Sequence, residues 1–582
     1  MGKSHLEQLV TKGMFPKELP PWFTTSEFAK IYAQKSKRDL LTPKAKDYKC
    51  VASDHALFTI NRPGLLKRTV HVPNPITHGL LAQAITGNWN HLFKLGRRTK
   101  SSLSAPKYSK TGARYIVPRV KISNKPYKLS HLRSHKTYLV RCDVKEFYSS
   151  IYTHALAWSV SPRAKKEWRN ERLLGNKLDK LVRLGQKSRS NGVPIGPDTS
   201  FILAELLLVK VDQIVQGKVE FLRWYDDYEM VFSSYEEAER GLSVLESALS
   251  EYHLTINPLK TEIIRLPHAV EREWARVIGG YYLDANVKNL QRYFDIAFQY
   301  SKDEPESNVL QYAIARLFVI KLDDRALSLV LSNLTQCVLS ERGCAPKACS
   351  LIMHWKANGL DVSSFDSKVL VDKLVDRAIL TNELQDLSWV LCLVIATKQV
   401  LGKEIAKKLQ KITNPILGVQ VMHANSLGLL PGYTLRYWEK KIQLDELYGK
   451  DWIAIYEGVY HGWLQDPKGV VGNDKYFGKL LSEKVFFYDV EQPEYKIIFH
   501  PQGMPAWIQE KVKALVDTYS SGEKIEGFSI LIPQSGSSEL ETRLGKLEIK
   551  VEELGEIISD IQANKISFEE ASELFIEGED IY

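Results

Sequence analysis

Two strand-forming runs carry acids at the points where a strand would end. YLVRCDV (138–144) is apolar and β-prone and leads into Asp143. FLRWYDDYEMVF (221–232) sets Asp226 and Asp227 side by side among aromatic and apolar residues. The second run reads as a β-hairpin, because strand-like residues flank a polar tip. If the two runs are neighbouring strands, Asp143 and Asp226 converge at one edge of a sheet. Adjacent carboxylates repel, so the arrangement calls for cations. Hard divalent ions with oxygen ligands suit three clustered carboxylates. Two Mg²⁺ ions held in this way (Mn²⁺ is the alternative) activate an attacking hydroxyl and stabilise the leaving oxygen of a phosphoryl transfer. Nucleotidyl transfer is an in-line displacement driven by positioning and charge neutralisation. Taken alone, a YDD tripeptide is a charged hairpin tip and Asp143 a strand-end acid or helix cap; the joint pattern carries the reading.

The surroundings predict an α+β fold. GVPIGPDTS (192–200) is a turn followed by the helix FILAELLLVKVDQIV, and EEAERGLSVLESALSEY (236–252) is an amphipathic helix. This β–α–β order suits a sheet with helices on one side. From about residue 285 to 500 the pattern turns helical, with NVLQYAIARLFVIKL, RALSLVLSNLTQCVL, DLSWVLCLVIATKQV and KEIAKKLQKI as successive helices. After SGSS (535–538), Leu540, Leu547, Leu554 and Ile561 fall seven apart, with Leu544, Val551 and Ile558 four further on. Three heptads with both seam positions apolar predict a coiled coil and self-association, weakened by Gly545 and Gly555. The expected regions are an N-terminal extension (1–60), a sheet-containing region (61–280), an α-helical domain (281–530) and an acidic tail (531–582).

Charge is distributed unevenly. Residues 61–140 hold 16 Lys and Arg and no Asp or Glu, whereas residues 521–582 hold 5 basic and 15 acidic residues. A basic block of that length expects polyanionic partners, with RNA or DNA first among them. By charge alone the acidic tail could pair with it. No apolar run reaches the length of a membrane span. The N-terminus lacks the apolar stretch of a signal peptide, and six irregularly spaced cysteines suit a reducing compartment, so the expected location is the cytoplasm without a membrane partner. Cys344, Cys349 and His354 are too loosely grouped for zinc.

RCDVKEFYSSIY, NGVPIGPDTSFILAE, WYDDY and LTINPLKTEI occur in the order of the palm motifs of reverse transcriptases, which the chain resembles over roughly residues 60–280. The resemblance implies right-hand fingers and palm. It makes Asp143, Asp226 and Asp227 the metal-binding catalytic acids. Tyr148 falls at the position where an aromatic ring excludes a 2′-hydroxyl. Gly192, Pro194, Gly196 and Pro197 form the turn against the nascent base pair, with Asn191 where most relatives have Gln, and Ser200 opens the following helix. Lys260 matches the lysine that protonates the leaving pyrophosphate. In the fingers, Arg114 of ARYIVP matches a triphosphate-binding arginine, with Lys107 and Lys110 nearby.

No RNase H cluster follows residue 280, and neither a retron signature nor a maturase with a Cys/His-rich nuclease is evident. TKGMFPKELPPWF, RTVHVPNPITHGLLAQAITGNWNHL and SIYTHALAW resemble the bacterial defence-associated, or abortive-infection, reverse transcriptases. That resemblance implies anti-phage defence by dNTP polymerisation on a template, such as a partner noncoding RNA, or without one. It also implies homo-oligomers, a long helical domain in place of a thumb, and in some members priming from a protein tyrosine. The rival readings are a template-independent, protein-primed terminal transferase and a nucleic-acid-binding sensor with a vestigial site.

Overall fold

The computed structural model describes residues 4–62, 64, 66–109, 113–320, 322–491, 529–531 and 546–548. Strands β1 (Ala56–Asn61) and β2 (Lys67–Val72) form an antiparallel hairpin with Ile60 opposite Arg68. Strands β3 (Pro106–Tyr108) and β4 (Ile116–Pro118) form a shorter one. The strands β5 (Tyr138–Asp143), β6 (Glu220–Trp224), β7 (Asp227–Phe232) and β8 (Glu262–Arg265) make an antiparallel sheet in the order β6-β7-β5-β8. The two acid-bearing runs are therefore neighbours, as their sequences require.

Side chains alternate between the faces of this sheet. One face meets the two long helices. Tyr228 donates its hydroxyl to Asp212 of the helix Asp198–Val215 at 3.0 Å. The ring of Phe232 lies so close to Gly241 of the helix Tyr235–Ser250 that a Cβ there would stand 2.2 Å from it. The opposite face is polar and carries Asp143, Asp227, Glu229 and Arg141. Sequence reasoning left that face without a helix, yet the helix Lys125–Arg133 reaches it, with Arg133 Nε donating to Glu229 at 3.1 Å. A charged face is covered here by a charged partner.

The helix expected from Phe201 begins at Asp198, directly after Pro197. An acid in the first turn is favoured there by the helix dipole. The four helices expected downstream are present as Val309–Arg316, Asp324–Ser340, Gln385–Thr397 and Lys403–Leu409. Asp323 caps the second of them by accepting from Ala326 N at 2.8 Å.

The expected N-terminal extension, sheet region and helical region share one apolar core, running from Leu6 through Val140 and Leu391 to Tyr488. They form one compact unit among the described residues up to 491. Cross-links tie it together: Trp389 donates its indole N–H to Glu18 O at 3.1 Å, and Trp452 to Val72 O at 3.2 Å. A second unit takes in most of the remaining chain. In it, β9 (Ser529–Leu531) pairs antiparallel with β10 (Lys546–Glu548), Leu547 opposite Ile530. The heptad segment lies mostly outside the described residues. Where it is described, at Leu547, it is strand and not the expected helix, directly after Gly545, a poor helix former. Among the described residues, no helix is long and apolar enough to cross a membrane.

Candidate active site

The hairpin joining β6 to β7 is two residues long, with Trp224 opposite Asp227, so Tyr225 and Asp226 form its tip. Tyr225 takes a φ of +53°, a conformation that costs a non-glycine residue free energy unless its surroundings enforce it. They do. Tyr225 N donates to Ser104 Oγ at 2.8 Å, and Tyr225 O accepts from the Arg223 guanidinium at 2.7 Å. Arg223 is itself fully buried, in ion pairs with Glu205 at 2.8 Å and Asp212 at 2.7 Å. Ser102 adds a hydrogen bond to Glu205 at 2.5 Å. None of these supports was singled out from the sequence.

The tip is laced to the end of β5. Asp143 stands opposite Asp227 in the ladder, and Val144 N donates to Asp226 O at 3.2 Å. Burial, and then repulsion from Asp227 and Asp143, pushes the Asp226 carboxyl well above the usual range. Asp227 is raised by burial and by Asp143, against the pull of Lys125 and Lys260. Lys260 Nζ donates to Asp143 Oδ2 at 2.5 Å. The two expected catalytic groups Asp143 and Lys260 are thus in direct contact, with Asp226 and Asp227 beside them. A cavity of about 330 Å³ opens on this polar face, lined by Lys125, Arg141, Asp143, Asp227, Glu229 and Lys260 among others.

Among the described residues no three acidic, imidazole or thiol groups stand as a ready-made metal shell. The Asp143 carboxylate is turned to Lys260 instead. The donor set itself, three carboxylates of which burial and then mutual repulsion raise two, suits a hard divalent cation.

Tyr148 is half-buried, and Tyr225, Asp226 and Arg68 act on its hydroxyl electrostatically, so it borders the acids. Its carbonyl accepts from Val193 N at 2.8 Å, tying it to the glycine-containing turn. Gly192 has a φ of +77°, and a Cβ on it would lie 3.2 Å from Ser149 O. Gly196, at +121°, would meet Pro16. Pro194 is buried and lines a small cavity with His55 and His78. Ser200 is also buried, at 2% exposure, as the third residue of its helix, and packs inside the fold instead of facing a ligand.

Arg114 is held within the chain: its guanidinium meets Asp198, Gly196 O at 2.9 Å and Phe15 O at 2.5 Å. Through Nη1 and Nη2 it braces the turn. Lys107 is exposed on β3, and Lys110 lies outside the described residues. Besides Lys260, cations that act on the acids come from the first hairpin and from the helix Lys125–Arg133: Arg68 on Asp226, Arg62 with Asp226 and Asp227, and Lys125 with Asp227. The sequence signal for the hairpin was NRPGLLKR, whose Pro-Gly marks a turn between two short β-prone runs.

Residues 89–294 match the family model described as reverse transcriptase (RNA-dependent DNA polymerase). The chain contains a reverse transcriptase domain. The domain holds all three acids, Tyr148, Arg114 and Lys260, whereas Arg62 and Arg68 precede the matched span. A chain with such a domain is an enzyme of the DNA nucleotidyltransferase class. Among solved structures, the chain is similar to telomerase from Candida albicans in complex with the TWJ fragment of telomeric RNA, at 11% identity over 60% of this chain and 68% of that chain, with a TM-score of 0.27. A comparison with curated proteins found no match.

Proposed function

We propose that the chain is a DNA polymerase of reverse-transcriptase type that extends a primer with dNTPs on an RNA template and serves anti-phage defence in bacteria. The observation that carries the chemistry is the contact of Asp143 with Lys260 at the β5 end, with Asp226 of the hairpin tip and Asp227 of β7 held to the same point. Asp143 and Asp226, assisted by Asp227, would hold Mg²⁺, which would activate the primer hydroxyl and stabilise the leaving oxygen. Tyr148 closes the sugar side of the site and disfavours a 2′-hydroxyl. Arg62 and Arg68 supply positive charge for the triphosphate, the role that Arg114 cannot fill while it braces Asp198. Lys260 holds a proton at Nζ, next to Asp143, for the departing pyrophosphate. The defence role rests on the resemblance in the N-terminal and fingers segments.

The test is dNTP incorporation by the purified protein with Mg²⁺, before and after RNase. A defined product that is lost on RNase treatment is expected. An RNase-insensitive product of low complexity that remains attached to protein would replace the templated reading with protein-primed terminal transfer. Asp226→Ala should reduce incorporation to background while the protein stays folded by circular dichroism; full activity in that variant would sink the mechanism.

A further inference from the structure

The hairpin that carries Arg62 and Arg68 has two strands, and an isolated two-stranded hairpin is marginal at best. Its hydrogen-bond register shows what its outer edges need. Arg62 N donates to Leu66 O across the hairpin, so residues alternate from there, and Leu57, Thr59 and Asn61 turn their backbone groups away from β2. Unpaired groups on such an edge must find partners. Side chains of the helical region supply them. Asn414 Nδ2 donates to Leu57 O at 2.7 Å, and Gln385 Oε1 accepts from Asn61 N at 2.9 Å. Beyond the backbone groups, Asn382 Nδ2 donates to the Thr59 hydroxyl at 3.2 Å, and the Lys67 side chain of β2 donates to Thr381 O. The other edge, on β2, is held by the glycine-containing turn: His71 N donates to Ile195 O at 2.9 Å, and Ile195 N to His71 Nδ1 at 3.1 Å.

The focus of the first edge is Asp386, at 1% exposure. Its Oδ2 accepts from Asn61 Nδ2 at 2.8 Å and from Gly343 N at 2.9 Å, and its Oδ1 from Ala345 N at 3.1 Å, at the start of the helix Ala345–Ala357. Asn61 directly precedes Arg62, and its cross-strand partner Lys67 directly precedes Arg68. One buried carboxylate therefore holds Asn61, one residue from Arg62 and across the ladder from the residue before Arg68. We propose that Asp386 is a positioning residue of the nucleotide site, holding the hairpin arginines toward Asp226 through Asn61, so that the helical region sets the geometry of triphosphate binding. The proposal rests on the polymerase reading for its functional consequence, but not for its structural one.

The test is Asp386→Asn, which puts an amide N–H₂ against a donor, with Asn61→Ala as a milder variant that breaks the same bond from the other side. Amide hydrogen exchange at Phe58, Ile60, Val70 and Val72 should quicken about tenfold, the scale of one lost hydrogen bond to a charged group. Exchange in β5 and β7 should not change. The KM for dNTP should rise by a similar factor while kcat stays within about twofold. In an Arg68→Ala background Asp386→Asn should add little to KM. Unchanged hairpin exchange overturns the proposal, as does faster exchange everywhere in step with a fall in Tm. If the wild-type protein incorporates no nucleotide, the polymerase reading fails and hairpin exchange alone decides the role of Asp386.

Discussion

Arg223 has no exposed surface and stands between two buried carboxylates, Glu205 and Asp212, while its remaining donor holds the carbonyl of Tyr225. Removing one member of such a cluster leaves uncompensated charge in the interior, which typically costs about 3–5 kcal/mol. Arg223→Met should therefore lower the unfolding free energy by that order, read as a fall in denaturant midpoint. Any folded protein that remains should lose incorporation, because the Tyr225–Asp226 tip loses its clamp. A loss of unfolding free energy under about 1 kcal/mol would show that the cluster is dispensable. The acids were legible in the sequence because adjacent carboxylates in an apolar run have few structural uses. Arg223 was not, since a single arginine in a strand resembles any edge cation. Its signal lay elsewhere: Glu205 and Asp212 are seven apart, on one face of a largely apolar helix.

Two elements compete for the triphosphate role. The segment 114–118 offers Arg114, whose guanidinium is held by Asp198, Gly196 and Phe15. The β1–β2 hairpin offers Arg68, which is exposed and acts on both Asp226 and Tyr148. Arg68→Ala should raise the KM for dNTP about tenfold, the loss of one charged contact, and leave Tm unchanged. Arg114→Ala should do the reverse, lowering Tm with little change in KM, because it strands Asp198, which burial already raises. Nucleotide titration beside thermal unfolding separates the two, and the opposite pairing of effects would restore Arg114 to the site. Composition could not make this choice. All three arginines lie in a block without a single acid, so charge showed that the fingers meet polyanions but not which side chain does. The partner of Arg114, Asp198, comes from a segment 84 residues away.

At the scale of the molecule, the sequence suggested consecutive regions that, among the described residues up to 491, share an apolar core, because helical periodicity reports which face is buried and not what buries it. The seam between the hairpin, the glycine-containing turn and the neighbouring helices encloses three imidazoles. Burial lowers His71 to about 4, His78 to about 3 and His55 well below its ordinary value, with Arg189 adding to the effect on His55 and His71 and Asp54 opposing it at His71. The unfolded chain binds these protons near pH 6.5 and the folded one refuses them, so stability is full above that pH and falls as pH drops toward 4. At pH 5 each such histidine accounts for about 2 kcal/mol. Asp386, raised to about 6 by burial, works the other way between pH 6 and 4, as do the raised carboxyls of Asp198, Asp226 and Asp227. The diagnostic comparison is therefore a difference. His78 Nε2 has no hydrogen-bond partner among the described residues, so His78→Leu breaks no hydrogen bond at that nitrogen. Urea unfolding at pH 7.5 and pH 5 should show the wild-type protein losing about 2 kcal/mol more than the His78→Leu variant. Equal losses would mean that the seam opens to water before its histidines titrate, and that the hairpin is less firmly seated than its hydrogen bonds imply.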